Sequence, residues 1–489
     1  MESQDDLGLS IPRVFPRRLP TPTRDQLVRR AAAITVAVGR HFGPQLSHVS
    51  HRARRRPPTP GQFPATGWFA RPLRLTFEDL GATFMKFGQL VGSSPGVFGD
   101  VVADEFRGCL DTGPAAPFSH VRNTIEADLG MALEDAFATF DPIPIGRASI
   151  AVVHRATLHD GKAVAVKVLR PGIDEVVATD LGLLQPLLEM LVHQTGDQTL
   201  VTLLQQLDGF RTQLGEELDL RNECRAMIHY RLLLQEVNLP LITVPEPFPE
   251  ISGPSVLTME FLDGIPVDDL ARIAEYGIDP KPLVQQVVQS LFMTAIRWGM
   301  FHGDVHAGNL MILPDGRIGI LDWGIVGRLD AQTHHYFRLI VEAALGDDAA
   351  WAEVARITAA QYGPVMGEMG FTDEQFTFIV RNMIEPLLTK PFGEVSLAAV
   401  LQAPQDIINQ SRGIDAADRS LRTRLVRIRH QRRLQAMVDA HGVVGSDFDR
   451  GTFLLSKQLM YFERYGRMFM SDVSLLSDRD FFTALLAAT

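Results

Sequence analysis

The chain predicts an α+β protein. A short block of strands, within residues 141–262, separates an amino-terminal helical extension from a mostly helical carboxy-terminal half. Three observations carry this. Ile150–Leu158 and Lys162–Leu169 are apolar, β-branched runs joined by His159-Asp160-Gly161, a hairpin pattern. Leu310–Leu313 and Arg317–Leu321 repeat that pattern around Pro314-Asp315-Gly316. The stretches Arg74–Leu90, Asp180–Glu236 and Pro280–Trp298 space their apolar residues by three and four, the period of a helix with one buried face.

Composition bounds the function. With 489 residues, 46% of them hydrophobic, the chain can bury a large core. A net charge of −11 argues against general nucleic-acid binding. Cys109 and Cys224 are too few for a disulfide framework and fit a reducing cytosol. The start, MESQDDLGLS, lacks the basic-then-apolar order of a secretory leader. Near it, Ala31–Val38 falls far short of the ~20 apolar residues that span a bilayer. A cytoplasmic protein without a transmembrane segment, peripheral at most on the inner face of the membrane, is expected.

Taken in order, residues 1–70 read as a partly flexible extension, with repeated prolines, a helix from Arg24 to about His41, and an arginine cluster at Arg52–Arg56. Residues 71–140 are expected to be helical: one helix from Arg74 with Lys86 and Gln89 on nearly the same side, then a second stretch over Val121–Phe140. Residues 141–262 hold the strands. The turn before the first hairpin is Gly146-Arg147-Ala148-Ser149, where backbone amides and the Ser149 hydroxyl are candidates to meet phosphate. The second strand contains Val164-Ala165-Val166-Lys167, whose ammonium suits α/β-phosphates.

The helical run that follows contains Glu217, Asp219 and Glu223. Glu223 is the first candidate to pair with Lys167 and Glu217 the second; Asp219 and Glu223, four apart, are expected on one helix face. Val256–Leu262 reads either as a plain core strand and turn or as a strand and hinge, with backbone groups of Glu260–Leu262 as candidates to bind an adenine. Residues 263–489 are the helical remainder. In it, Phe301–Asp322 puts Asp304 and Asn309 on one loop, and its hairpin returns Asp322 beside them. Mg²⁺ takes hard oxygen ligands, which Asn309 and Asp322 supply, leaving Asp304 to orient or deprotonate a nucleophile. After Gly324 the chain is expected to pass straight into helix, without the long segment that docks a peptide substrate. Farther on, Arg422–Arg433 reads as a basic amphipathic helix that is either solvated or set against anionic lipid.

Lys86-Phe87-Gly88-Gln89, the loop around Ala148-Ser149-Ile150, Val164–Lys167, Glu217-x-Asp219, His302-Gly303-Asp304 with Asn309, and Asp322-Trp323-Gly324 stand in one order. Over roughly residues 70–330 this resembles the UbiB/ADCK (AarF-like) atypical kinases, a family linked to isoprenoid quinone biosynthesis. The resemblance implies a two-lobed protein-kinase-like fold that binds ATP or ADP with Mg²⁺ and works as an ATPase in place of an ordinary protein kinase. It implies that the Lys86 and Gln89 helix packs over the active site, supported by Glu217 and Asp219. It gives Lys167, Glu223, Asp304, Asn309 and Asp322 their usual kinase roles. Family members commonly carry an alanine-rich loop where Gly146-Arg147-Ala148 stands, which opens nucleotide preference to change. Bacterial members often end in transmembrane helices that this sequence lacks, so an isoprenoid lipid or an anionic membrane surface is an expected peripheral partner. Two other readings compete: a nucleotide-gated lipid- or partner-binding protein with little turnover, and a small-molecule phosphotransferase.

Overall fold

The computed structural model describes residues 14–55, 69–92, 100–106, 108–109, 116–195, 198–237, 239–369, 372–395 and 450–487. The arginine-rich helix expected over Arg422–Arg433 lies outside them. The fold is α+β, and the chain divides into two units. One comprises Pro12–Ile228 and Pro245–Phe261; the other comprises His229–Val244 and the chain from Leu262 onward.

The first unit is built on a four-stranded antiparallel sheet of order β1 (Thr139–Arg147), β2 (Ala151–Thr157), β3 (Ala163–Leu169), β5 (Val256–Glu260). The expected hairpin is β2–β3, turned at Gly161 with φ +89°. Strand β1 is not among the expected strands, and it contains Pro142 and Pro144, which cannot donate to a ladder. It survives as an edge strand, and the register slips on both sides of Pro144, where missing amides cost little. One sheet face packs Val152, Val164, Val166 and Val168 on Val121 and Ile125 of a helix over Phe118–Leu129.

The helices of this unit are α1 (Arg24–Arg55), α2 (Ala70–Leu80), α3 (Ala82–Gly92), α4 (Asp100–Phe106), α5 (Phe118–Leu129), α6 (Leu133–Ala136), α7 (Ile173–Thr195), α8 (Gln198–Glu217) and the start of α9 (Leu220–Val237). The single helix expected from Arg74 is two, broken where Gly81 adopts φ +86°. The stretch Val121–Phe140 is likewise not one helix, since it ends in α6 and enters β1. A span over Ile173–Gln194 is long and apolar enough to cross a membrane by length and composition, and it is the one such span among the described residues. It also carries Asp180, buried and bound by the Arg30 guanidinium at 2.5 and 3.0 Å.

The second unit surrounds α11 (Pro280–Trp298), which follows α10 (Leu270–Tyr276). Asp279 caps the start of α11, Pro280 opens it, and Gly299 closes it in the left-handed conformation. Its inward side (Val284, Val287, Leu291, Phe292, Ala295) is buried as the periodicity predicts, while Trp298 is half-buried. From Gly299 the chain enters β7 (Met300–His302), then the loop that carries Asp304 and Asn309, then the hairpin β8 (Leu310–Ile312) and β9 (Ile318–Ile320). The strands β4 (Ile242–Thr243) and β6 (Ile265–Pro266) flank that hairpin in the order β4-β9-β8-β6. A short strand β10 (Val326–Arg328) intervenes before the next helix and pairs with β7, so the direct passage into helix is corrected. Three residues are too few to show a period of two. Gly327 is fixed by this pairing, since a Cβ there would sit 2.2 Å from the Phe301 ring. The remaining described elements are helices: α12 (Ala331–Ala344), α13 (Asp348–Met369), α14 (Asp373–Thr389), α15 (Arg450–Phe469) and α16 (Arg479–Ala487).

Candidate active site

In the first unit, β3 places Lys167 between apolar neighbours, and its Nζ lies 2.8 and 3.0 Å from the two carboxylate oxygens of Glu223. Both side chains are buried, at 8% and 3% exposure. Of the two candidate partners, Glu223 is the one that pairs. Glu217 instead meets Lys86 at 3.1 Å and accepts a hydrogen bond from Gln213 Nε2 at 2.8 Å. Asp219 does not share a helix face with Glu223, because α8 ends at Glu217 and α9 begins at Leu220. It stands at the break, accepting the Arg221 amide at 3.1 Å and the Arg221 guanidinium at 2.5 and 2.9 Å. The acidic pair therefore divides its work: Glu217 ties α8 to α3, and Asp219 shapes the start of the helix that carries Glu223.

Gly88 has a packing reason. A Cβ there would lie 3.0 Å from Phe106 Cδ1 and 3.1 Å from Cys109 Sγ, so only glycine lets α3 approach that wall unstrained. Gln89, one residue on, is half-buried. A strap that sequence reasoning treated as loose extension braces the same region. Arg17 donates its amide to Gly215 O at 2.7 Å and its guanidinium to Leu218 O and Ser255 Oγ. Asn222 exchanges hydrogen bonds with the Phe15 backbone, and Arg225 covers the Phe15 ring. No run of apolar residues announces such a strap. Its partners, two backbone carbonyls and the side chains of Asn222 and Ser255, lie about two hundred residues away.

The loop before β2 is tight. Gly146 and Arg147 still pair with Val153 and Val152, Ala148 donates to Ala151 O at 2.9 Å, and Arg170 donates to Ala148 O. Ser149 is 2% exposed, so its hydroxyl is turned inward, while Arg147 is exposed. At the end of β5, the amides of Glu260 and Phe261 are already given to Glu246 O and Ala163 O. The carbonyl of Glu260 and the chain at Leu262 are the parts of the expected hinge that these two hydrogen bonds do not use.

In the second unit, Asn309 Nδ2 donates to Asp304 O at 2.9 Å. A carbonyl only accepts, so this contact orients the amide and leaves Oδ1 on its other side as an acceptor. The hairpin returns as expected: Leu321 donates its amide to Asn309 O at 2.8 Å. Asp322 has φ +48°, a left-handed conformation of order 1 kcal/mol above the common regions. The cause is next door. Trp323 is buried, with its ring tilted against Tyr230 of α9 at 4.3 Å and edge-on to His302 at 4.5 Å, and its indole donates to Ile320 O. The turn that drives this indole inward carries Asp322 to an exposed position, where the Gly324 amide donates to Oδ1 at 3.2 Å.

His302 is the buckle of the loop. Its Nδ1 accepts the Asp304 amide at 3.0 Å, so Nε2 carries the proton and donates to Leu321 O at 3.1 Å. Burial pushes this imidazole below its ordinary range, which keeps it neutral in both hydrogen bonds. Gly303 follows, and a Cβ there would meet Ile325 Cγ2 at 2.6 Å. Asn309 and Asp322 offer a carboxamide and a carboxylate. Such hard oxygen donors fit Mg²⁺, which retains waters and phosphate oxygens and needs no all-protein cage. Among the described residues no group of three or more His, Cys, Asp or Glu forms such a cage.

Residues 109–355 match the ABC1 atypical kinase-like domain. The chain belongs to that family. An uncharacterized protein of Mycobacterium tuberculosis is 34% identical over 430 residues, covering 86% of this chain and 79% of its own. An uncharacterized aarF domain-containing protein kinase of Arabidopsis thaliana, described as chloroplastic, is 29% identical over 83% of this chain and 73% of its own. The probable protein kinase UbiB of Cellvibrio japonicus is 33% identical over 67% of this chain and 59% of its own. With these relatives the kinase-like α+β fold expected from the sequence stands.

The ABC1 match ends at 355, yet the loop of Asp304 is held by a helix a hundred residues later. On α15, Lys457 Nζ lies 2.7 Å from Asp304 Oδ1. Gln458 accepts the Val305 amide at 3.0 Å, and Tyr465 donates its hydroxyl to Val305 O at 2.8 Å. Burial raises the Tyr465 phenol, so it stays a donor. Sequence reasoning missed all three, since nothing in LLSKQLMYFERY marks partners 153 and 160 residues away.

Proposed function

We propose that this ABC1-family chain is a Mg²⁺-dependent kinase-like ATPase whose action bears on isoprenoid quinone or lipid metabolism. The observation that carries the catalytic half is the buried Lys167–Glu223 pair, with the lysine held through both carboxylate oxygens. A lysine so fixed presents its charge to α/β-phosphates without paying ordering entropy when the nucleotide arrives. Asn309 and Asp322 would hold Mg²⁺, which when bound draws charge from the phosphate oxygens. Asp304 orients the attacking water or hydroxyl and accepts its proton. His302 keeps the loop backbone and the Asp322 segment in register through its two hydrogen bonds. Only β10 and its short flanks separate Gly324 from α12, which leaves little chain to dock a peptide and favours water or a small acceptor. The lipid half rests on the family resemblance.

Asp304→Asn removes the base while keeping its shape. Turnover of Mg-ATP should fall by about 100-fold or more, with ATP affinity held within about twofold. Hydrolysis at the wild-type rate in that variant would rule out the assigned base.

A further inference from the structure

We propose that Lys457, on the carboxy-terminal helix α15, is a positioning residue for Asp304. This rests on the ATPase reading above. The ion pair is close, at 2.7 Å, and mostly shielded, with side-chain exposures of 15% and 21%. Pairs of this kind are poor sources of stability, because desolvation offsets most of the attraction. What the contact does supply is geometry. Lys457 grips Asp304 by Oδ1 and thereby sets the direction in which Oδ2 faces.

The rest of the helix supports the same task. Gln458 and Tyr465 are seven residues apart, two turns along one face, and they bind the amide and the carbonyl of Val305. The backbone beside Asp304 is thus clamped on both polar groups while Lys457 holds the carboxylate itself. Charge gives a second reason. A triphosphate brings several negative charges to a loop that already presents Asp304 and Asp322. An ammonium on Asp304 offsets part of that repulsion in a partly desolvated setting, where it acts at greater strength than in water. The loop has no lysine of its own, since Val305, His306, Ala307 and Gly308 separate Asp304 from Asn309. The cation comes instead from beyond residue 355, where the ABC1 match stops. The carboxy-terminal helix is therefore part of the catalytic apparatus.

The test compares wild type, Lys457→Met, Lys457→Arg, Asp304→Asn and the Asp304→Asn/Lys457→Met double variant in the full chain, by steady-state Mg-ATP hydrolysis and by ATP binding. Lys457→Met should lower kcat by about 10- to 100-fold while KM and ATP affinity change by less than about twofold. Lys457→Arg, which keeps the charge, should recover most of the rate. Because Lys457 acts through Asp304, the double variant should be no slower than Asp304→Asn alone. Full activity in Lys457→Met, with Asp304→Asn impaired, overturns the role of Lys457 and leaves the ATPase reading standing. A loss in Lys457→Met that falls on ATP binding and is not rescued by arginine also overturns it, as a structural effect. A well-folded wild type with no turnover refutes the ATPase reading and the positioning role with it.

Discussion

Breaking the Lys167–Glu223 pair should destabilise the first unit by an amount the structure bounds. Glu223→Gln keeps the volume and removes the charge, leaving a buried ammonium without the carboxylate that contacts it at 2.8 and 3.0 Å. Loss of one partner of a buried pair costs about 3–5 kcal/mol, and Lys167→Met should cost a similar amount by exposing the converse charge. The double variant Lys167→Met/Glu223→Gln removes both charges together. Its cost should lie near that of either single change and well below their sum, a coupling of about 3–5 kcal/mol. Urea denaturation of the four proteins, with hydrogen exchange on β3 and α9 to localise the effect, measures this directly. Additive single costs, with a coupling below about 0.5 kcal/mol, would show that the two groups do not sense each other. The reasoning that fixes Lys167 for phosphate would then be refuted.

Two further outcomes follow from other parts of the site. Burial depresses the imidazoles of His154, His229 and His302, so each is protonated less readily in the folded chain than in the unfolded one. The unfolded state then binds the extra proton as pH falls below the ordinary histidine value. Stability should decline there by up to about 1.4 kcal/mol per pH unit for each histidine, and His302→Gln should flatten that slope by one share in a pH series of urea midpoints. Gly303→Ala forces a methyl to within 2.6 Å of Ile325 Cγ2 and 3.0 Å of its carbonyl. It should cost about 1–3 kcal/mol by denaturation, whereas alanine at Gly146, where the nearest atom is 3.5 Å away, should be close to neutral.

Much of the candidate site in the second unit was legible because its signals are local. The β8–β9 hairpin, the loop from Asp304 to Asn309 and the return to Asp322 lie within twenty-two residues, with left-handed backbone at Gly316 and Asp322. Helix α11 was equally plain, with a cap, an opening proline and a closing glycine, although its second half is buried all round from Ser290 to Ile296. The errors came where tertiary context overrode local pattern. Gly81 split a periodic helix, and Asp219 fell at a helix break that the acidic run concealed. Proline-bearing β1 survived because an edge strand tolerates missing amides. The strap at Phe15–Arg17 and the α15 clamp on Val305 were invisible, since their partners are far along the chain and consist largely of backbone groups. His302 entered the sequence reading only as part of the motif His302-Gly303-Asp304. Its role needed two distances, to the Asp304 amide and to the Leu321 carbonyl.

The proposed Mg-nucleotide site is reached most directly by calorimetric titration of ATP, with Mg²⁺ and with EDTA, into the wild type and into Asp322→Asn. Asparagine tolerates the left-handed backbone at this position, so the variant should fold while losing the carboxylate. The expected result is tight binding only for wild type with Mg²⁺, and a loss of about tenfold or more on chelation or in the variant. Equal affinity in all four titrations would contradict a metal site at Asn309 and Asp322.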